Sequence, residues 1–220
     1  MKPEVVQGFR FSPQQERVWL LGRVENGDPY RAACAVRITG GLDPEVLAAA
    51  ARRVVERNEI LRTVFRSLHG ASIPVQVILE EPALAFRAVD LRDQRAEERE
   101  TWLSELQQEA NGPFDLERGP LLRLVLARLA PTEHRLFVTL HALCGDAATL
   151  VNLVGQIGRD CSATGEGEEP LQYADLAEFF NELLETEEMA AGREFWLERV
   201  LAAALDLDLP FDGSGDPFTV

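Results

Sequence analysis

His141, Cys144 and Asp146 stand close together in the stretch Leu140-His141-Ala142-Leu143-Cys144-Gly145-Asp146-Ala147, and they bring an imidazole, a thiol and a carboxylate into one short segment. An imidazole there could move a proton at neutral pH. A thiol could attack an acyl carbon only as its thiolate, and free cysteines are more often small core hydrophobes. Ala142, next to the histidine, carries a methyl group that can neither accept a proton nor hold a hydrogen bond. Neighbouring side chains of a strand point to opposite faces, so His141 does not replace a base at 142 without a slip of the backbone. The expectation is a packed, hydrogen-bonded His141 and an inert Cys144.

The elements that must position this segment are legible from periodicity. Leu121 to Leu129 alternates apolar residues with Arg123 and Arg128, and Leu136 to Leu140 is its hairpin partner, delivering the motif at its end. His134 begins that second strand and His69 lies in a Leu68-His69-Gly70 turn; neither calls for a functional role. Asp146 then opens a helix whose Leu150, Leu153, Val154 and Ile157 recur at helical spacing, and as N-cap it would satisfy otherwise orphaned N–H groups. Upstream, Pro13 begins a helix to about Gly22, and Ala33 to Thr39 reads as a strand. Asp43 and Pro44 open a helix with an apolar stripe of Val46, Leu47, Ala50, Val54 and Val55. Ile60 to Phe65 and Val75 to Leu79 read as strands, and Glu97 to Ala110 as a helix ended by Asn111-Gly112-Pro113. The last element runs from about Leu171 to Ala204 with an interruption near Ala191-Gly192. Tyr173, Leu176, Ala177, Phe180, Leu183 and Leu184 line one face of it, and Phe195, Trp196, Val200 and Leu201 another. Residues 211–220 have linker composition. Helices alternating with short strands make the fold class α/β.

Composition excludes several functions. The 220 residues are 46% hydrophobic, enough for a good core, and no apolar run approaches the roughly 18 residues that cross a bilayer. Cys34, Cys144 and Cys161 form no CxxC pair, so neither a disulfide framework nor a zinc site is indicated, and a reducing, cytoplasmic setting is expected. The net charge is −15, and from Thr164 onward fifteen acidic residues face only Arg193 and Arg199. That field opposes nucleic acid and anionic membranes. Glu178, Glu182, Glu185, Glu187 and Glu188 read as the solvated face of a helix rather than a site for a basic partner.

Four segments carry a resemblance. Ser12-Pro13-Gln14-Gln15-Glu16-Arg17-Val18-Trp19-Leu20-Leu21 resembles SxAQxR(L/M)WxL, keeping the serine, the second glutamine, Arg17, Trp19 and the last leucine. Arg57-Asn58-Glu59-Ile60-Leu61-Arg62-Thr63-Val64-Phe65 resembles RHExLRTxF with Asn58 for the histidine. The stretch around His141 resembles HHxxxDG, with Ala142 at the second histidine and Ala147 at the glycine, and Tyr173-Ala174-Asp175-Leu176-Ala177 resembles YxDFA. In this order they are similar to the N-terminal lobe of the condensation domains of nonribosomal peptide synthetases. Phe195-Trp196 through Leu209-Pro210 is similar to the family's closing helix and exit segment.

The resemblance implies a mixed β-sheet flanked by helices, one lobe of a chloramphenicol acetyltransferase-like fold, over residues 1–210, with 211–220 as linker or tail. It implies structural roles for Arg17, Trp19, Arg62, Asp146, Tyr173 and Asp175, among them a salt bridge from Asp146 to Arg62. The motif remnant His141, Ala142 and Asp146 lacks the second histidine, which in the family lies beside the attacking amine. The reading is therefore a truncated lobe without condensation activity, a platform for a neighbouring adenylation domain or peptidyl carrier protein. The alternative is the N-terminal half of an active domain that forms amide or ester bonds between carrier-bound substrates. Any cofactor would be phosphopantetheine on a partner carrier protein, with none bound directly. No metal is expected, and self-association through the surface of the missing lobe is open.

Overall fold

Local capping chemistry starts the helices where the sequence places it. In the computed structural model, which describes residues 8–24, 30–68, 70–162 and 170–202, Ser12 and Gln15 cap α1 (Pro13–Val24) reciprocally. The Gln15 N–H donates to Ser12 Oγ at 3.2 Å and the Ser12 N–H donates to Gln15 Oε1 at 2.9 Å. Asp43 accepts the Glu45 N–H at 2.9 Å and Pro44 begins α2 (Pro44–Arg57). The buried stripe of α2 is Leu47, Ala48, Ala50, Ala51, Val54 and Val55. Val46, expected in that stripe, is 43% exposed, because it lies about 100° around the helix from Leu47, beyond the stripe's edge.

Strands follow, one later than expected and one unforeseen. β1 is Arg31–Thr39. The expected strand from Ile60 is instead a short 3-10 helix, Glu59–Arg62, held as Thr63 Oγ1 donates to Glu59 O at 2.8 Å; β2 (Thr63–Arg66) starts only after it. β2 pairs antiparallel with β3 (Val75–Ile78). β4 (Ala85–Asp90), which no alternation announced, is followed by α3 (Ala96–Ala110), β5 (Leu122–Ala130) and β6 (Glu133–His141). The main sheet runs β1-β6-β5-β4, antiparallel except for the parallel β4–β5 pair, and is therefore mixed. Register sets Arg31 opposite His141.

Alternation divides the core between the two faces of this sheet. Leu122, Leu124 and Leu126 of β5 and Leu136, Val138 and Leu140 of β6 pack against α2 and α4 (Ala147–Ser162) in one cluster. Val125, Ala127 and Phe137 face the other way, onto Leu103, Leu106 and Ala110 of α3. Arg57 Nη2 meets Asp160 Oδ2 at 2.7 Å, and Arg53 donates to Asp160 O at 2.8 Å, tying α2 to α4.

Contact density divides the chain into two units, residues 1–180 and 181–220. α5 is Tyr173–Leu184 and α6 is Glu187–Ala202. The expected break near Ala191-Gly192 falls instead at Glu185-Thr186, where Thr186 Oγ1 donates to Leu183 O at 2.8 Å; Gly192 has open space around it and the helix continues through it. Leu183, Leu184, Phe195 and Trp196, expected to line apolar faces, are exposed. The side chains of Val200 and Leu201, like His69 and the 211–220 tail, lie outside the described residues.

His134 is fully buried on β6 opposite Arg128, and burial first, then the Arg128 charge, holds its pKa below the ordinary 6.5. The unfolded chain therefore takes up the proton first, so this contribution to stability is complete above pH 6.5 and is lost as the pH falls through the folded pKa. Urea midpoints measured from pH 8 downward are expected to drop less steeply below 6.5 in His134→Gln than in the native chain.

Candidate functional site

The end of β6 turns into α4 through residues 142–146, and four of the five backbone N–H groups of that turn are pinned. The Ala142 N–H donates to Tyr30 O at 3.0 Å, and the Cys144 N–H to His141 O at 2.9 Å. The Leu143 N–H donates to His141 Nδ1 at 3.1 Å, while Leu143 O accepts Gln15 Nε2 at 2.9 Å. Gln15 is buried with every side-chain polar atom used, since Nε2 also donates to Gln76 Oε1 at 3.0 Å, and Gln76 Nε2 donates to Arg10 O at 2.8 Å. A buried amide relay thus locks the motif turn to α1 and β3. The S-x-x-Q capping pattern was a visible signal for Gln15, but a polar residue on a strand gave none for Gln76.

His141 is buried with its ring edge-on to Phe114 at 6.0 Å between centroids. With Nδ1 accepting from the backbone, the neutral ring carries its proton on Nε2. Burial pushes the Cys144 thiol far above its ordinary range, which keeps it protonated and removes it as a nucleophile. Asp146 is the N-cap of α4: Oδ1 accepts the Thr149 N–H and hydroxyl, both at 2.9 Å, and these bonds hold its carboxyl below the usual range. The cap is reciprocal, because the Asp146 N–H donates to Thr149 Oγ1 at 3.2 Å. Gly145 must stay small, since a Cβ there would sit 2.7 Å from Thr149 Cβ.

The implied Arg62–Asp146 salt bridge is not formed. Arg62 Nη1 donates to Leu79 O at 2.5 Å and Nη2 meets Glu59 at 3.3 Å, so the arginine is spent on the turn that precedes β2. Asp146 is exposed and spent on its cap. Asp146→Ala is expected to cost about 1 kcal/mol, the worth of an N-cap, and Asp146→Asn only a few tenths. A stranded buried ion-pair partner would instead cost about 3 to 5 kcal/mol in both variants. Chemical denaturation of the two variants decides between these values.

Of the other expected structural residues, Tyr173 and Trp19 make contacts at α1. Tyr173 Oη lies 2.8 Å from Ser12 Oγ, and Trp19 packs edge-on to Phe11 at 6.4 Å. Asp175 is exposed in the first turn of α5, where a negative charge complements the helix N-terminus, and Arg17 is exposed on α1. Gln172, which the sequence did not single out, accepts the Glu59 N–H at 3.0 Å and donates to Arg57 O at 3.0 Å. It anchors the start of α5 to the end of α2.

Ala142 opens onto a cleft of about 490 Å³ between α1, the motif turn and the start of α5. Gln14, Val18, Asn58, Thr149, Tyr173 and Leu176 are among its walls. Its titratable lining groups are a thiol, a carboxylate and a phenol; His141 is not among the lining residues. Among the described residues, the cleft has no side chain suited to take a proton from an amine near neutral pH. Among the described residues, no group of three or more His, Cys, Asp or Glu could hold a metal ion, and no helix is long and apolar enough to cross a membrane.

A mixed sheet with helices on both faces, and a motif turn at the end of one strand, defines a lobe of the chloramphenicol acetyltransferase-like class. The condensation-domain family model matches residues 7–217, and the chain belongs to that family. It is 33% identical over 206 residues to a linear gramicidin synthase protein from Brevibacillus parabrevis, covering 90% of this chain and 3% of that protein. Against phosphinothricin tripeptide synthetase PhsC of Streptomyces viridochromogenes it is 31% identical over 210 residues, covering 90% and 19%. Among solved structures, the starter condensation domain of rhizomide synthetase RzmA superposes with a TM-score of 0.76 at 22% identity, over 90% of this chain and 49% of that one. Tallysomycin biosynthesis protein TlmII gives 0.75 at 26% identity, over 90% and 48%. The chain spans about half the length of these solved relatives.

Proposed function

We propose that this condensation-family chain forms no amide bond itself and works in the cytoplasm as a structural platform of a nonribosomal peptide or hybrid polyketide assembly line. It holds a neighbouring adenylation domain and helps to position a carrier protein, whose phosphopantetheine arm brings the acyl group. The observation that carries this reading is Ala142. The turn that would present a base is rigidly held and faces a cleft, yet the position ends in a methyl group and His141 is turned into the core. General acid–base assistance typically contributes about 10²- to 10⁴-fold, so its loss removes a useful rate while leaving the architecture intact.

The test uses the native polypeptide with aminoacyl- and acyl-loaded carriers. No amide product above the carrier-only control is expected, while deleting the lobe is expected to lower the solubility and amino-acid activation of the remaining module. Product formed at a rate well above that control would overturn the reading in favour of an active half-domain. Unchanged solubility and activation after deletion would overturn the platform role.

A further inference from the structure

We propose that the cleft at Ala142 is a binding site for a planar organic cation on an apolar stem, of the amidinium or guanidinium kind. Asp146 is its counter-charge, and the space beside the Ala142 methyl is its seat. Both residues line the cleft of about 490 Å³. A bulkier side chain at 142 would occupy that space, and the methyl leaves it to a ligand.

Charge selects the ligand. Among the described residues that line the cleft, Asp146 is the only Asp, Glu, Lys, Arg or His. It makes no ion pair among the described residues, and Arg62 is turned instead to Leu79 O and Glu59. Both Thr149 bonds end on Asp146 Oδ1, and a carboxylate accepts more bonds than these two. The same bonds keep the carboxyl ionised by holding its pKa below the ordinary range. The N-terminus of α4 opposes a cation with about half a positive charge, less than the full negative charge of the carboxylate. A net charge of −15 adds to the attraction. An anionic ligand meets the same charges as repulsion.

The walls select the shape. Val18 of α1, Ile60 of the short 3-10 helix, and Leu171 and Leu176 at the start of α5 present aliphatic groups to the stem. A compact ammonium is strongly hydrated and loses more on entering such a cleft than a delocalised, weakly hydrated planar cation does. Asn58, another lining residue, donates through Nδ2 to Val54 O at 2.7 Å, which leaves its Oδ1 as an acceptor for an N–H of the ligand. The site does not rest on the platform reading, since neither amide formation nor deletion of the lobe enters its test.

The test titrates the full chain, isotope-labelled for NMR, with the near-isosteric probes benzamidine, benzamide and benzoate, which carry a positive, no and a negative charge. Amide shifts are expected at Ala142, Gly145, Thr149 and Leu176 with benzamidine, at a dissociation constant on the order of 1 mM. Benzamide is expected to bind about fivefold more weakly, and benzoate more weakly still. Asp146→Asn keeps the helix cap and is expected to bring benzamidine down to the level of benzamide, with an unchanged dichroism spectrum. Ala142→Leu fills the seat and is expected to weaken benzamidine and benzamide alike. Benzamide as tight as benzamidine, or benzamidine bound equally well by Asp146→Asn or Ala142→Leu, would overturn the proposal. So would shifts absent at about 10 mM benzamidine or confined to other surfaces.

Discussion

Gln15→Leu is expected to lower the unfolding free energy by about 3 kcal/mol, although leucine fills much the same space. The substitution strands three polar groups around a side chain that is 2% exposed: the Ser12 N–H, Gln76 Oε1 and Leu143 O. Each buried group left unsatisfied costs about 1 to 3 kcal/mol, and partial relaxation brings the sum down. Urea unfolding measures the loss. Hydrogen exchange adds a local readout, since the amides of Leu143 and Cys144 should exchange faster than those of β5 in the same variant. Gln15→Glu tests the donor specifically, because a carboxylate cannot donate to Leu143 O. A loss below about 0.5 kcal/mol, the scale of an ordinary surface change, would mean that the relay does not hold the turn.

Arg123→Ala is expected to cost about 2 to 3 kcal/mol. One guanidinium closes the end of α3 by donating to Glu109 O at 3.1 Å, Ala110 O at 2.8 Å, Gly112 O at 3.1 Å and Pro113 O at 3.2 Å. It also lies over the Phe114 ring at 4.6 Å, and that ring backs His141. Carbonyls at a helix C-terminus have no intrahelical partners, and a cation there also complements the helix dipole. Arg123→Lys should recover less than half of the loss, because an ammonium cannot present a planar fork to several carbonyls. Guanidinium denaturation of the three proteins checks both statements, and an alanine variant within 0.5 kcal/mol of the native chain would refute them.

The parts of the fold that are local in sequence were the legible ones. Asp43-Pro44 and Asp146 announced two helices, and the strands that became β5 and β6 showed their apolar positions plainly. β4 was not legible, since Ala85–Asp90 is short, half of its residues are exposed and it shows no strict alternation; its strand character comes from parallel pairing with β5. A glycine suggested the break in the last helical stretch because glycine costs helix stability, yet in open space that cost was too small to end α6.

The candidate site divides the same way. The methyl at Ala142 was plain from the sequence, and so was the capping role of Asp146. What Arg62 binds was not, because family likeness transfers residue types more securely than pairings, and here the short 3-10 helix offers Glu59 and Leu79 O closer at hand. The roles of Gln15, Gln76 and Gln172 were hidden for a related reason. An amide's value lies in partners from distant segments, and no window of sequence contains both ends of the bond.

The pairing of β1 with β6 has a consequence for how this chain is made. The two strands are neighbours in the sheet, yet about a hundred residues separate Arg31 from His141, so β1 leaves the ribosome long before its partner exists. At synthesis rates of about 5 to 20 residues per second the wait is on the order of 5 to 20 seconds. For that interval the nascent β1, with its apolar even positions and its hydrogen-bonding edges, has no native strand to pair with and is open to pairing with other chains.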